Sequence, residues 1–301
     1  MRYWLGVTDN RWFDFLSRLQ PDEVNFWQPS ATAPFVGLEP GAPFLFKLKR
    51  PFNHIAGGGY FVKFSSLPLS IVWETFGFKN GAISRTDFEL MIRQLAPTPT
   101  LRDPYVGCTV LTAPFFWSKE KWIEAPENWR SNIVRGRYYD SGDPYGARLW
   151  KEVEARRVEQ EIIRDASARY GEAALVKPRL GQGAFRVVVT DAYNRRCAIT
   201  GERTLPVLEA AHILPFSEQG PNEVANGLLL RSDFHKLFDV GLITVTPELR
   251  VEVSPKIREE WVNGRNYYRL HGQRLMNVPS EPAHRPASDF LRWHNENCFQ
   301  D

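Results

Sequence analysis

Four polar residues in the last third of the 301-residue chain have types and spacing suited to chemistry: His212, Asn226, His235 and Asp239. His212 ends a short apolar run, residues 205–211, that reads as a strand. Asn226 precedes a second run, Leu228-Leu229-Leu230, across a polar loop at residues 217–225. His235 and Asp239 are four apart in a segment that reads as a helix, so they share one face. Ser232 is placed to cap that helix and Gly241 to close it. Strand, loop, strand and helix make one unit on which all four side chains could converge. Such a set suits metal-assisted phosphodiester hydrolysis. A divalent cation neutralises the scissile phosphate and the leaving oxygen, and a neutral imidazole takes the proton of the attacking water.

The elements that must position this set lie in a chain of ordinary globular composition, 43% apolar and 13% aromatic. That is too apolar and too weakly charged for intrinsic disorder. The length predicts two domains. Residues 1–150 hold 17 Lys+Arg against 14 Asp+Glu, whereas residues 151–301 hold 21 of each, so the net +3 lies in the first half. Three cysteines, Cys108, Cys197 and Cys298, form no CxxC pair, which predicts neither a disulfide framework nor a structural zinc and fits a reducing cytoplasm. The first residues lack the apolar core of a signal peptide, and no stretch is apolar enough for a membrane-spanning helix. The expected location is cytoplasmic, with no membrane partner.

Residues 209–215 (EAAHILP), 226–230 (NGLLL) and 235–241 (HKLFDVG) together resemble the HNH endonucleases with a ββα-metal fold. More narrowly, they resemble the form at the C-terminus of bacterial modification-dependent restriction enzymes. Residues 179–186 and 197–201 also look like that subgroup, so the resemblance spans about residues 178–255, with a weaker echo at residues 291–294. His, Asn and His follow in the family's order, 14 and then 9 residues apart. The resemblance implies His212 as general base, Asn226 as the brace of the base-bearing loop and His235 as a metal ligand. Many members carry Asp or His just before the base as a second ligand, where this chain has Ala211. Asp239 is the expected substitute. Glu209 is the reserve, because strand alternation puts it on the face opposite His212. The implied cofactor is a divalent metal, Mg²⁺, Mn²⁺ or Ni²⁺. Double-strand cleavage by a one-strand site implies a homodimer or two independently bound copies.

The first half alternates short strands, at residues 45–49, 59–64 and 107–111, with helices at residues 10–19 and 85–95, the latter capped by Ser84. Residues 3–12 and 25–30 cluster aromatic and polar side chains, and Gly57-Gly58-Gly59 permits close approach of a backbone. These features look like the PUA-superfamily (EVE-like) readers, which flip a modified base into an aromatic cage. That resemblance implies stacking by Trp27 with Phe26 or Tyr60, and edge reading by Asn25, Gln28, Ser30 or Asp9. The expected fold is α+β: a PUA-like β-barrel or curved sheet with helices at 1–145, a connecting helix at 146–177, and an HNH domain at 178–301. The expected substrate is double-stranded DNA carrying 5-methyl- or 5-hydroxymethylcytosine. Two alternatives stay open: a nuclease reading phosphorothioate or 6-methyladenine, and a non-cleaving DNA-binding module with a degenerate site.

Overall fold

A computed structural model describes residues 1–95, 101–167, 180–262 and 264–301. The chain divides into two units, Met1–Arg179 and Leu180–Asp301. The expected helix end at Gly171, and Pro178 and Arg179 of the resemblance, lie outside the described residues.

In the first unit, β1 (Arg2–Thr8) leads into α1 (Asn10–Leu19), then β2 (Glu23–Gln28), β3 (Pro43–Leu48) and the long β4 (His54–Pro68). Two helices follow, α2 (Leu69–Phe76) and α3 (Arg85–Leu95), and then β5 (Tyr105–Phe116), β6 (Ile123–Glu124), β7 (Gly136–Asp140) and α4 (Pro144–Ser167). Asp9 caps α1 by accepting from the Arg11 and Trp12 backbone N–H groups at 3.0 and 3.4 Å, which satisfies donors a helix start leaves orphaned. Ser84 accepts from the Asp87 N–H at 3.2 Å and starts α3 in the same way. The strands form one mixed sheet ordered β2-β5-β4-β3-β1-β7, with β6 on β4 and with β1 and β3 parallel.

One face of this sheet buries Trp4, Trp12, Phe13, Phe44, Phe46, Phe61 and Phe116. Along β3 the next residue turns to the other face, where Leu45 packs with Tyr3, Leu5, Ile55, Trp117 and Tyr139. Leu149 and Val153 of α4 complete that second cluster. The helix read from the sequence as a connector therefore begins on the core of the first unit, because its apolar residues there face the sheet. Bulges in β4 at Gly58/Tyr60 and Phe61/Lys63 add local bend and twist to the sheet. The glycine run serves this crowding: a Cβ on Gly58 would lie 2.7 Å from the Phe44 carbonyl oxygen of β3.

The second unit runs α5 (Gln182–Ala192), β8 (Leu208–His212), β9 (Gly227–Arg231), α6 (Ser232–Asp239), β10 (Ile243–Val245), β11 (Val251–Val253), α7 (Lys256–Trp261), α8 (Arg265–Tyr268) and α9 (Ser288–Asn297). Its core gathers Phe185 and Val189 of α5, Leu208 and Ala211 of β8, Leu228, Leu229 and Leu230 of β9, Phe234 and Phe238 of α6, and Leu291 of α9. β8 and β9 pair antiparallel with Ala211 opposite Leu228 and His212 opposite Gly227. Ser232 opens α6 as its first residue. The cap position falls to Arg231, whose side chain makes no capping bond to the helix backbone and instead donates to the Asp233 carboxylate at 2.6 and 2.7 Å. Beyond the helix end, Gly241 takes a left-handed backbone, φ +72°, that suits glycine.

Candidate active site

His212 stands at the last position of β8, where the chain leaves the hairpin for the loop at 213–226. Its ring stacks on Phe185 of α5, centroids 3.9 Å apart and planes 12° from parallel. Nε2 lies 2.7 Å from Asn222 Oδ1. Burial holds the imidazole below its ordinary pKa. The bond to Asn222 and the charge of Asp239 pull the other way, and His235 adds to the lowering.

Asn226 is fully buried at the far end of the same loop. Its Oδ1 accepts from the Leu214 N–H at 2.8 Å, while its Nδ2 donates to the carbonyls of Leu214 at 2.9 Å and Pro221 at 3.0 Å. The Asn226 carbonyl also accepts from the Ile213 N–H at 3.0 Å. All of the Asn226 side chain is spent on the backbone of the loop, which keeps it out of direct chemistry.

His235 on α6 is bracketed by two carboxylates. Its Nδ1 lies 2.6 Å from Glu209 Oε2, and its Nε2 lies 3.4 Å from Asp239 Oδ2. The Asp239 carboxyl is raised above its ordinary value by burial first. His235 and His212 pull it down and Glu209 pushes it up, so all four groups feel one another. Strand alternation does separate Glu209 from His212. His212 meets α5, and Glu209 meets α6, which is where His235 stands.

Among the described residues no group of three or more His, Cys, Asp or Glu side chains is set to hold a metal ion. A cation here would therefore rest on two protein donors, His235 Nε2 and Asp239 Oδ2. That donor set fits a small divalent ion, which commonly keeps waters and takes phosphate oxygens while bound through one or two carboxylates. The imidazole nitrogen adds affinity for transition ions.

The seven residues expected to form a base cage do not gather at one place. Phe26 and Trp27 are successive in β2 and point to opposite faces. Phe26 packs on Trp12 and Phe44, centroids 5.4 and 4.8 Å away. Trp27 stands edge-on to Phe88, and its indole N–H donates to the Asn80 carbonyl at 2.8 Å. Asn25, also on that side, donates to Asn80 Oδ1 at 2.8 Å and is fully buried. Tyr60 lies under the Arg157 guanidinium, 5.2 Å from its ring centroid, and Asp9 is paired with Lys49 at 3.0 Å. Phe26, Gln28 and Ser30 do stay together at the end of β2. A Cβ built on the facing Gly107 would meet Gln28 Cγ and the Phe64 ring, each at 2.9 Å. Phe64 is a neighbour outside the expected set.

Residues 197–246, which hold every member of the His212 site except Phe185, match the HNH endonuclease family. No curated protein matches the chain. Among solved structures, a point mutant of the ASCH protein from Zymomonas mobilis is 13% identical with a TM-score of 0.31, covering 52% of this chain and 96% of its own. The unmutated ASCH protein from the same organism is 12% identical with a TM-score of 0.32, covering 46% and 89%. The modification-dependent TagI restriction endonuclease is 15% identical with a TM-score of 0.29, covering 93% of this chain and 76% of its own. The chain carries an HNH endonuclease domain and is a nuclease. Among the described residues no helix is long and apolar enough to cross a membrane.

Proposed function

We propose that the chain is a modification-dependent endonuclease acting on double-stranded DNA, with the second unit hydrolysing phosphodiester bonds and the first selecting a modified cytosine. The observation that carries the catalytic part is the meeting of a half-buried imidazole, His212, with a second imidazole held between two carboxylates. His212 is the general base. Burial against Phe185 keeps it neutral near pH 7, so it can take a proton from a water attacking phosphorus. Asn226 ties the two ends of the loop that carries this geometry. Glu209 accepts from His235 Nδ1–H and leaves the Nε2 lone pair facing Asp239, the usual way an outer carboxylate orients a metal-binding imidazole. A divalent cation on His235 and Asp239, Mg²⁺, Mn²⁺ or Ni²⁺, would neutralise the scissile phosphate and stabilise the leaving oxygen.

A single centre of this kind cuts one strand, so two copies of the chain act together on a duplex. Selection belongs to the aromatic sheet of the first unit, where Phe26, Gln28, Ser30 and Phe64 supply stacking and edge-reading groups on one face. The Trp27 indole N–H is tied to the Asn80 carbonyl and the Gln28 amide nitrogen to the Ser30 carbonyl at 2.9 Å, so edge reading by Gln28 falls to its amide oxygen.

The test is digestion of otherwise identical duplexes that are unmodified or carry 5-methylcytosine, 5-hydroxymethylcytosine, 6-methyladenine or phosphorothioate, each with Mg²⁺, Mn²⁺ or Ni²⁺. The expected result is cleavage confined to the two modified cytosines. Equal cutting of all five would sink the selection, and cutting of another mark alone would reassign it. Binding without cleavage under every metal would leave only a DNA-binding module.

A further inference from the structure

We infer that Asn222 is a positioning residue that decides which nitrogen of His212 receives the proton, an inference that rests on His212 being the general base. Asn222 Nδ2 lies 2.6 Å from the Leu180 carbonyl oxygen, which can only accept, so the amide nitrogen must face it. The amide oxygen is thereby turned to His212, 2.7 Å from Nε2. An amide oxygen also only accepts, so the bond requires hydrogen on Nε2. The ring's lone pair then sits on Nδ1, which makes no hydrogen bond to any described residue.

Two restraints thus fix the ring: Phe185 sets its plane, and Asn222 sets its rotation within that plane. Asn222 is itself held. Asn226 donates to the carbonyl of the preceding residue, Pro221, at 3.0 Å, and the Gly220 N–H donates to Pro215 O at 3.0 Å. Leu180, just before α5, anchors the amide through its carbonyl oxygen. The bonds run Leu180, Asn222, His212, with every donor matched to an acceptor. Nδ1 is left as the nitrogen that takes the proton from water.

The direct test is ¹⁵N–¹H correlation spectroscopy of the histidine-labelled chain in EDTA at slightly alkaline pH, alongside single-turnover cleavage with Mn²⁺. Wild type is expected to show His212 as a single tautomer with hydrogen on Nε2. Asn222→Ala is expected to show mixed tautomers and a kcat lower by about tenfold to a hundredfold, the range that loss of orientation costs, with KM for DNA unchanged. Asn222→Asp keeps an acceptor for Nε2–H but sets a carboxylate oxygen against the Leu180 carbonyl, so it is expected to keep the tautomer and recover only part of the rate. A wild-type ring protonated on Nδ1 would overturn the inference at once, whether or not the variants fold. An Asn222→Ala protein with wild-type tautomer and rate, beside an inactive His212→Ala, would overturn it and leave the base assignment standing. A fully active His212→Ala would instead remove the base assignment itself.

Discussion

The second unit contains two histidines stacked on phenylalanines in nearly the same way, and only one is placed to do chemistry. His212 lies on Phe185 at 3.9 Å and 12°, and His294 lies on Phe238 at 3.7 Å and 13°. His294 is 2% exposed, with Nε2 donating to the Phe238 carbonyl at 3.1 Å and Nδ1 lying 2.8 Å from the Thr244 hydroxyl. Burial lowers its pKa to about 4. Both nitrogens are consumed in tying α9 to β10 and to the end of α6. His212 spends one nitrogen on Asn222 and keeps the other. The contrast teaches that the ring stack only orients an imidazole, and that function needs an unspent nitrogen beside carboxylates that can hold a cation.

The largest effect that could break this contrast belongs to His235, which the account makes the ligand on the His212 side. His235→Ala should abolish Mn²⁺ binding in calorimetric titration and cost cleavage more than the roughly hundredfold typical of an outer partner. Retained Mn²⁺ affinity would move the cation elsewhere. Glu209→Ala, which removes the orienting carboxylate, should cost about tenfold to a hundredfold in the same two measurements. His294→Leu should do the reverse. Cleavage per folded molecule stays, while denaturant unfolding loses about 1–3 kcal/mol through buried partners left unpaired.

The pH dependence of the two rings sharpens the same comparison. The folded pKa of His294 is depressed from 6.5 to about 4, so its stabilisation is complete above 6.5 and fades as pH falls toward 4. The total loss is about 3 kcal/mol. His294→Leu should lack that loss in unfolding titrations run across the window. For His212 the neutral form is the active one, and its pKa is lowered by burial. The midpoint of the fall in cleavage with falling pH should therefore lie below 6.5. This is the smallest of the expected shifts, and a midpoint above 6.5 would contradict it.

What the sequence made legible was whatever local chemistry determines. Helix α1 follows from apolar residues at helical spacing, and α3 from the same spacing with Ser84 as its cap, whereas Asp9 shows its capping role only in the fold. The order β8, β9, α6 was readable because each piece is short and bounded by turn residues. Nothing local marked Asn222, which gains its place only through Leu180, 42 residues away in sequence. Glu209 ranks only as a reserve in the sequence because alternation places it opposite His212, and it is α6, carrying His235, that occupies that side. For the base cage the strand itself decides one pairing: with residues 23–28 extended, Phe26 and Trp27 cannot share a face.

The central claim is that His212 takes the proton from the attacking water. Its most direct measurement is the single-turnover cleavage rate of 5-methylcytosine DNA by folded His212→Ala with saturating Mn²⁺. The account predicts a loss of about 10²–10⁴-fold, the usual worth of a positioned general base, with DNA binding retained. A rate equal to wild type would contradict it.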